Sequence, residues 1–261
     1  MRYEVRDGKV LTWSLEVHLV DHCNLSCAEC CTLSPHLPER FADPSGLARD
    51  LALARTALSP ALLKLTGGEP LLHPRLGDCL RVARESGIAR EVSLTTNGLL
   101  LRRAPEALFE LVDRITLSAY PSAPISDDAL GWVLSRCERA GIVLNFKHAS
   151  AFQRMTPERP VGDEEHAARV FASCWMKDRC HLLRDGRFFR CTRPPHLEAR
   201  LRQLGIEVPL ADLDGVPLEG EDLAGRILDH LDSGEPLRSC RSCLGNSGPF
   251  EPHRQLGTVR A

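Results

Sequence analysis

The chain has 261 residues, 11 of them cysteine, and a net charge of -2. This length allows one large domain with its own core, and an odd cysteine count cannot be paired completely into disulfides. The balanced charge argues against a nucleic-acid-binding domain. With no apolar run of 18 residues and no signal-like start, the sequence predicts a cytoplasmic protein without a membrane span. In that reducing compartment, many cysteines indicate metal binding or catalysis.

From residue 12 to about residue 150, strand-like and helix-like stretches alternate. The predicted strands cover residues 13–20, 61–67, 89–98, 114–120 and 142–149, and the predicted helices cover residues 44–58, 74–87, 104–112 and 126–141. Ser126 is the predicted N-cap of the last helix, and Gly141 is its end. Such alternation is typical of βαβ units around a parallel sheet, and it predicts an α/β fold. The pattern alone does not separate an open sheet from a barrel.

The rest of the chain has a different pattern. Residues 157–163 are the predicted linker, residues 164–174 and 219–233 the predicted helices, and residues 180–191 a β-hairpin that turns at Asp185–Gly186. The segment after Gly248 is aperiodic and is predicted to be loop or disordered. These boundaries divide the chain into residues 1–155, residues 156–247 and a tail of residues 248–261.

Three cysteines follow the first predicted strand directly. Cys23, Cys27 and Cys30 form the pattern C-x3-C-x2-C. Three thiolates cannot enclose a tetrahedral zinc ion, which usually takes four ligands in paired spacing. They suit three irons of a [4Fe–4S] cluster, whose fourth iron would remain open to a small ligand.

With this motif, the chain resembles the radical S-adenosylmethionine (SAM) superfamily over most of its length. The three cysteines match the cluster motif, residues 67–70 match the GGEP motif after the second strand, and residues 95–98 match the TTNG element after the third. The resemblance implies a partial (β/α)6 TIM-like barrel with sites at the carboxyl ends of its strands. It also implies that an electron from a reductase or flavodoxin-type donor drives cleavage of SAM to a 5′-deoxyadenosyl radical, which takes a substrate hydrogen.

The resemblance further assigns residues to SAM. The predicted cofactor-binding residues are Gly67, Gly68, Glu69, Pro70, Thr96, Asn97 and Ser118. The two glycines leave the backbone bare for the methionyl end of SAM, and Ser118 lies at the strand position that contacts the ribose. The family usually has an aromatic residue before the third cluster cysteine. Glu29 stands there instead, so another residue is expected to pack against the adenine.

A second group of five cysteines lies further along the chain. It consists of Cys174, Cys180, Cys191, Cys240 and Cys243. Zinc is one possible occupant of such a site. The region resembles the twitch form of the radical SAM C-terminal extension, a small α+β subdomain that binds one auxiliary [4Fe–4S] cluster. Cys191, Cys240 and Cys243 are the firmest ligands, with Cys174 or Cys180 as the fourth. Such a cluster would accept an electron instead of binding substrate.

The other three cysteines and several polar residues also carry expectations. Cys31, Cys79 and Cys137 are predicted to be packing residues. Substrate groups are expected on inward strand positions, among them Glu16, His18, Asn145 and Lys147, and Arg190 lies near the hairpin end. The candidate catalytic proton acceptors are Lys147, His148 and Tyr120. Asp21 and His22 flank the cluster and are predicted to support it.

Two functions fit this pattern. The first is a radical SAM oxidoreductase or epimerase acting on a small natural-product or sugar-like substrate, as the resemblance in layout to 2-deoxy-scyllo-inosamine dehydrogenases implies. The second is a maturase that crosslinks or epimerises a ribosomally made peptide. Only 22 residues precede Cys23, too few for an N-terminal peptide-recognition domain, and this favours the small substrate. A non-enzymatic metal-binding scaffold is the third interpretation, and the intact cysteine and GGEP motifs argue against it.

Overall fold

The computed structural model describes residues 3–159 and 161–257, and a nine-stranded mixed sheet is its main feature. Pro160 of the predicted linker and residues 258–261 of the predicted tail lie outside the described residues. The strands are β1 (Val5–Arg6), β2 (Lys9–Val20), β3 (Leu58–Gly67), β4 (Glu91–Thr96), β5 (Arg114–Ala119), β6 (Val143–His148), β7 (Ala151–Gln153), β8 (His181–Arg184), β9 (Arg187–Phe189), β10 (Gly215–Pro217) and β11 (Phe250–Pro252). The α-helices are α1 (Pro44–Ala54), α2 (Leu76–Ser86), α3 (Glu106–Leu111), α4 (Asp127–Ala140), α5 (Glu164–Ser173), α6 (Pro194–Gln203), α7 (Leu210–Asp214) and α8 (Leu223–Asp232).

Six of the strands form a continuous parallel run in the order β8-β2-β3-β4-β5-β6. The strands β9 and β10 extend this run antiparallel at the β8 end, and β1 pairs with β2. Because β8 and β6 lie at opposite ends of the run, the barrel is partial. The predicted α/β fold with a partial (β/α)6 barrel is therefore confirmed.

The barrel strands carry different residues on their two faces. On β2, the side chains of Leu15, Val17 and Leu19 are buried in a core that also holds α1 and α2 residues, while Glu16 and His18 occupy the opposite face. Parallel strands packed on both faces are usually apolar throughout. The alternation in this sheet shows that its outer face packs against α1 and α2, and that its inner face carries polar side chains.

Helix ends follow the predicted signals. The Ser126 side chain accepts a hydrogen bond from the backbone N–H of Ala129, and Gly141 ends α4 with a left-handed φ of 69°. The sequence analysis assigned no element to the segment that forms α6, which begins at the pair Pro194–Pro195. In the structure these prolines occupy the first turn of the helix, where their missing N–H groups are not needed.

The C-terminal region joins the barrel in two places. The predicted hairpin is present, with Asp185 and Gly186 both at left-handed φ values of 51° and 73°, and its first strand, β8, pairs directly with β2. The tail differs from the predicted loop, because β11 pairs antiparallel with β7. No helix in the described part of the chain has both the length and the apolar character needed to cross a membrane.

Candidate active site: two cysteine groups and a polar lumen

The inner face of the barrel is lined by polar side chains, and we call this space the lumen. Strand register places Glu16 beside Lys64, Ser118 beside Lys147, and Thr116 between Thr95 and Asn145 on one face. The lumen residues are Glu16, His18, Lys64, Thr66, Ser93, Thr95, Thr116, Ser118, Asn145 and Lys147. Every one of them can donate or accept a hydrogen bond, so the lumen suits a hydrophilic molecule.

One wall of the lumen is a buried charge network. The carboxylate of Glu16 lies 3.5 Å from the ammonium of Lys64 and 3.5 Å from Nε2 of His18. Burial alone would raise the pKa of Glu16, but the hydrogen bond from His18 and the nearby charges outweigh it and lower that pKa. Glu16 therefore presents an ionised carboxylate. His18 Nδ1 lies 2.7 Å from Nε2 of His196. Burial and the charge of His18 strongly lower the pKa of His196.

The first cysteine group lies on the loop that follows β2. Burial raises the pKa of Cys23 to about 12 and that of Cys27 to about 11. Without metal these thiols hold their protons at neutral pH, so metal binding must release protons. In the described part of the chain, no three His, Cys, Asp or Glu side chains are close enough to bind a single metal ion.

The two glycines of the GGEP motif lie against this loop. A Cβ on Gly67 would come within 2.3 Å of the carbonyl oxygen of Val20, and a Cβ on Gly68 would clash with the carbonyl oxygen of His22. The N–H of Gly68 donates to Val20 and that of Glu69 to His22. The glycines therefore have a packing reason here that the sequence did not reveal: they let two backbones touch beside the cysteines.

Glu69 ties the ends of β3 and β4 together. Its carboxylate is fully buried and accepts hydrogen bonds from the hydroxyl of Thr96 at 2.7 Å and the backbone N–H of Asn97 at 2.8 Å. Burial raises the pKa of Glu69 to about 7, against the effect of these bonds. The backbone N–H of Leu71, in the short turn that Pro70 begins, also donates to this carboxylate.

The other residues predicted to contact SAM lie around the same strand ends. The amide of Asn97 donates to the side chain of Asn24 at 2.7 Å and faces the sulfur of Cys23 at 3.7 Å. Ser118 faces the lumen and is buried. The hydroxyl of Thr96 is engaged by Glu69, so of the two hydroxyls that of Ser118 is the better placed for a ribose. These assignments remain predictions.

The three candidate proton acceptors do not share a face. Lys147 points into the lumen, whereas strand alternation places His148 on the opposite, outer face. Tyr120 follows the inward position of Ser118, and its ring stacks on His253 at 4.8 Å. Burial and nearby cysteines raise the pKa of Tyr120. Its hydroxyl therefore keeps its proton at neutral pH, which makes Tyr120 both a poor proton donor and a poor proton acceptor. The geometry thus favours Lys147 among the three.

The second cysteine group surrounds one enclosed, mainly apolar cavity. Four of the five cysteines line it: Cys174, Cys191, Cys240 and Cys243. Cys180 does not line it in the described structure. Its thiol packs beside the group, where the charges of Glu16, Lys64 and Cys174 act on it. The structure therefore favours Cys174 over Cys180 as the fourth ligand, a choice that spacing left open.

Two cations make this cavity suitable for a negatively charged cluster that is held by four thiolates. Arg193 lines the cavity and is 2% exposed, and its Nε and Nη2 have no hydrogen-bond partner among the described residues. Its third nitrogen donates to the backbone carbonyl of Cys31 at 2.6 Å. Lys177 also lines the cavity. A buried guanidinium with unused donors is costly unless an anion lies close, and a cluster would be such an anion.

The remaining predicted residues have structural partners. Asp21 forms a two-pronged ion pair with Arg184 at 2.6 and 2.8 Å, which joins the cluster loop to the C-terminal hairpin. Cys79 and Cys137 are buried in the main core, as expected, whereas Cys31 is exposed. Sequence reasoning missed His196, Arg193, His253 and Gln255. Their positions depend on long-range packing, and no spacing pattern marks them.

Comparison with known proteins places this arrangement. No protein-family model matches the chain. A curated relative, the GTP 3′,8-cyclase of Mycobacterium marinum, is 40% identical over 117 residues, which make up 43% of this chain and 32% of the relative. The GTP 3′,8-cyclase of Synechococcus sp. (strain CC9902) is 42% identical over 113 residues, 40% of this chain and 31% of the relative. The chain thus spans about a third of the length of these curated relatives.

A solved structure extends the likeness to the C-terminal region. The crystal structure of BtrN in complex with AdoMet and 2-DOIA superposes with a TM-score of 0.54 at 15% identity, over 91% of this chain and 89% of that chain. At this identity the likeness concerns the fold. The sequence likeness, the cysteine and GGEP motifs and this fold agree with the predicted resemblance to the radical SAM superfamily, and the likeness in fold extends into the C-terminal region.

Proposed function

We propose that the protein is a radical SAM oxidoreductase that removes hydrogen and electrons from a small, polar, sugar-like substrate held in the lumen. The observation that carries this proposal is the set of four cysteines around one enclosed cavity. Four thiolates would ligate all four irons of a second [4Fe–4S] cluster, leaving none open to substrate. Such a cluster suits electron transfer, which an oxidation requires.

The cofactors would be held by separate residues. Cys23, Cys27 and Cys30 would hold the first cluster, and Cys174, Cys191, Cys240 and Cys243 the second. When bound, the first cluster with SAM supplies a 5′-deoxyadenosyl radical that takes a substrate hydrogen, and the second accepts the electron left on the substrate after deprotonation. The protein's own contribution is to bind, orient and deprotonate the substrate away from water.

Lumen residues would perform these tasks. Glu16 and Lys64 present a carboxylate and an ammonium on one wall, suited to the amino and hydroxyl groups of a sugar-like molecule. Lys147 stands on the opposite strand and is the proposed proton acceptor. His148 faces away from the lumen, which makes it a suitable control position.

An aromatic group beside the cysteines would replace the missing adenine contact. Glu29, which stands where relatives carry an aromatic residue, lines a surface cavity instead. Tyr120, Phe152 and His253 contact one another ring to ring, and Tyr120 and Phe152 pack near Cys27. We assign adenine packing to this group, with Tyr120 as its lumen-side member.

The electron donor would approach from outside the barrel. An open cavity of about 260 Å³ is lined by Cys27 and Cys30 together with Arg200 and Arg254. It brings two cluster cysteines close to solvent, beside two guanidinium groups and the single carboxylate of Glu29. A reductase or flavodoxin-type protein with an acidic face fits this surface.

The names of the curated relatives support a second candidate, cyclisation of GTP. In its favour are the sequence identity and the lumen cations Lys64 and Lys147, which could face phosphates. Against it, the matched segment is less than half of this chain. We therefore place oxidation first and treat GTP as one substrate in the test.

The first test concerns the cofactors. Anaerobic reconstitution should give about eight irons per chain and SAM cleavage to 5′-deoxyadenosine under dithionite. The triple change Cys23→Ala, Cys27→Ala, Cys30→Ala should leave about four irons and abolish cleavage, and Cys31→Ala is the matched control that should retain both. Cleavage that persists in the triple variant would show that the cluster assignment is wrong.

The second test concerns the substrate. Aminocyclitols, amino sugars, GTP and short peptides are supplied separately, and products are identified by mass spectrometry. We expect an aminocyclitol or amino sugar to give a product lighter by two hydrogens, with Lys147→Met losing this product and His148→Asn keeping it. A cyclised GTP product or a modified peptide with no sugar turnover would replace the proposal.

A further inference from the structure

We propose that residues 250–256, here called the strap, tune the reduction potential of the SAM-binding cluster through hydrogen bonds to Cys27. The strap belongs to the segment that the sequence predicts to be loop or disordered. This inference rests on the proposed cluster at Cys23, Cys27 and Cys30. It assigns His253 and Gln255 as positioning residues for that cluster.

The backbone of the strap runs alongside the cluster loop. After β11 pairs with β7, the carbonyl of Arg254 accepts from the N–H of Ala28 at 2.9 Å, and the N–H of Leu256 donates to Ser26 at 2.7 Å. Cys27 and Gln255 form an antiparallel bridge between these bonds. The strap therefore acts as an added strand on the loop and fixes its own side chains against the middle cysteine.

Two side chains of the strap reach the sulfur of Cys27. His253 Nε2 lies 3.1 Å from Sγ, and Gln255 Nε2 lies 3.5 Å from it. By contrast, the hydroxyl near the sulfur of Cys30 belongs to Thr32, two residues away in the same loop. Cys27 thus receives donors from a segment more than 220 residues distant in sequence.

The surrounding network fixes which atoms donate. Gln255 Oε1 accepts from the N–H of Ser26 at 2.7 Å, so its amide NH2 faces the other way, towards Cys27 and the hydroxyl of Ser122 at 3.0 Å. The Ser122 hydroxyl keeps its own hydrogen after accepting that bond, and it lies 3.1 Å from His253 Nδ1. In the tautomer in which Ser122 donates to Nδ1, the His253 Nε2 carries the hydrogen that points at Cys27, and we assign this tautomer.

Ring contacts hold His253 in this pose. Its ring stacks on Tyr120 at 4.8 Å with an angle of 19°, and it meets Phe152 nearly edge-on at 5.0 Å. A donor held by packing on two sides keeps its direction when the sulfur changes charge. Hydrogen bonds to a cluster sulfur stabilise the more negative, reduced state, so the strap should raise the reduction potential.

The experiment is EPR-monitored redox titration of the reconstituted, full-length protein. The signal that SAM perturbs identifies the SAM-binding cluster, so the auxiliary cluster does not confuse the reading. We compare His253→Phe, which keeps an aromatic ring, Gln255→Leu, which keeps most of the volume, and their double variant. Glu251→Gln is the strap control, because the described hydrogen bonds to Cys27 from the strap come from His253 and Gln255.

We expect the double variant to shift the reduced-to-oxidised ratio of this cluster about tenfold towards oxidised at a fixed poise, which is about 59 mV for one electron. Each single variant should give a smaller shift in the same direction, and Glu251→Gln none. Full iron content with an unchanged potential in the double variant would overturn the strap proposal alone. Loss of the SAM-perturbed signal in the wild-type protein would instead overturn the cluster assignment. If the double variant loses iron, the reduction potential of the milder Gln255→Leu variant tests the strap proposal instead.

Discussion

The two cysteine groups of this molecule are built in opposite ways. The first lies on a single loop, residues 23–30, whereas the second draws its four cavity-lining cysteines from residues 174–243, at the end of α5, after β9 and around a short helix before residue 243. A loop motif can be recognised from spacing alone. A set gathered from three places in the fold can be counted in the sequence but assembled only in three dimensions.

Their surroundings differ as well. The first group borders the polar lumen on one side and an open surface cavity on the other, and Cys23 and Cys30 are only partly buried. The second group is enclosed, with all four cysteines buried and with Arg193 beside them. The open site suits a cluster that must meet a small ligand and an electron donor. The closed site suits one that only exchanges electrons.

The sharpest prediction concerns the membership of the second group. Cys174→Ala should remove the auxiliary cluster, lowering iron from about eight to about four per chain, because only three thiolates would remain on the cavity. Cys180→Ala is the matched control, since Cys180 is not among the residues that line the cavity, and it should retain full iron. Iron analysis with Mössbauer spectroscopy measures both. Retained iron in Cys174→Ala together with lost iron in Cys180→Ala would reverse the assignment.

The second prediction concerns a substitution that should disturb the loop of the first cysteine group and leave the second group intact. Gly68→Ala places a Cβ against the backbone carbonyl of His22, and neither atom belongs to a flexible side chain. Overpacking of this kind typically lowers the free energy of unfolding by about 1–3 kcal/mol. We expect a loss of at least about 3 kcal/mol for Gly68→Ala, because the backbone must move. Urea unfolding of the iron-free chain measures the free energy of unfolding.

Gly131→Ala is the control for that experiment. Gly131 lies within α4, and a Cβ added there would meet no other atom within 4 Å. Because glycine is a poor helix former, this change should stabilise the chain by about 0.5–1 kcal/mol. Equal losses of stability in both variants would contradict the close approach of the GGEP motif to the cluster loop.

The contrast between the groups also marks what the sequence could predict. The alternating pattern placed the barrel strands and helices up to residue 150, and the caps Ser126 and Gly141 ended α4 where expected. It could not place the strap, because an aperiodic segment becomes a strand only when β7 and the cluster loop offer free backbone groups. Nor could it bring His196 onto His18, since that contact joins two elements 178 residues apart. Local signals predicted local structure, and the contacts that complete the site are long-range.

The last prediction is a pH dependence of stability at the first group. The folded-state pKa of Glu69 is raised from 4.5 to about 7, so the folded chain binds an extra proton between about pH 4.5 and 7. Stability from this carboxyl is therefore full below that window and falls as pH rises through it, by at most about 3 kcal/mol at about 1.4 kcal/mol per unit. Asp214 is buried beside the second group and accepts hydrogen bonds from the backbone N–H groups of Arg238 and Ser239. Burial raises its pKa too, so Asp214 adds a further loss of stability as the pH rises.

Comparing the pH dependence of stability in two variants isolates the contribution of Glu69. Glu69→Gln lowers stability at every pH, because one amide cannot accept all the bonds that the carboxylate accepts, but it should flatten the decline between pH 5 and 7 relative to the wild-type chain. Asp214→Asn should leave the Glu69 share of that decline unchanged. Urea unfolding of the iron-free, reduced protein at pH 5, 6, 7 and 8 measures both slopes. An identical slope in Glu69→Gln and wild type would mean that this carboxyl is not held in the buried, proton-binding state that joins β3 and β4 beside the cysteine loop.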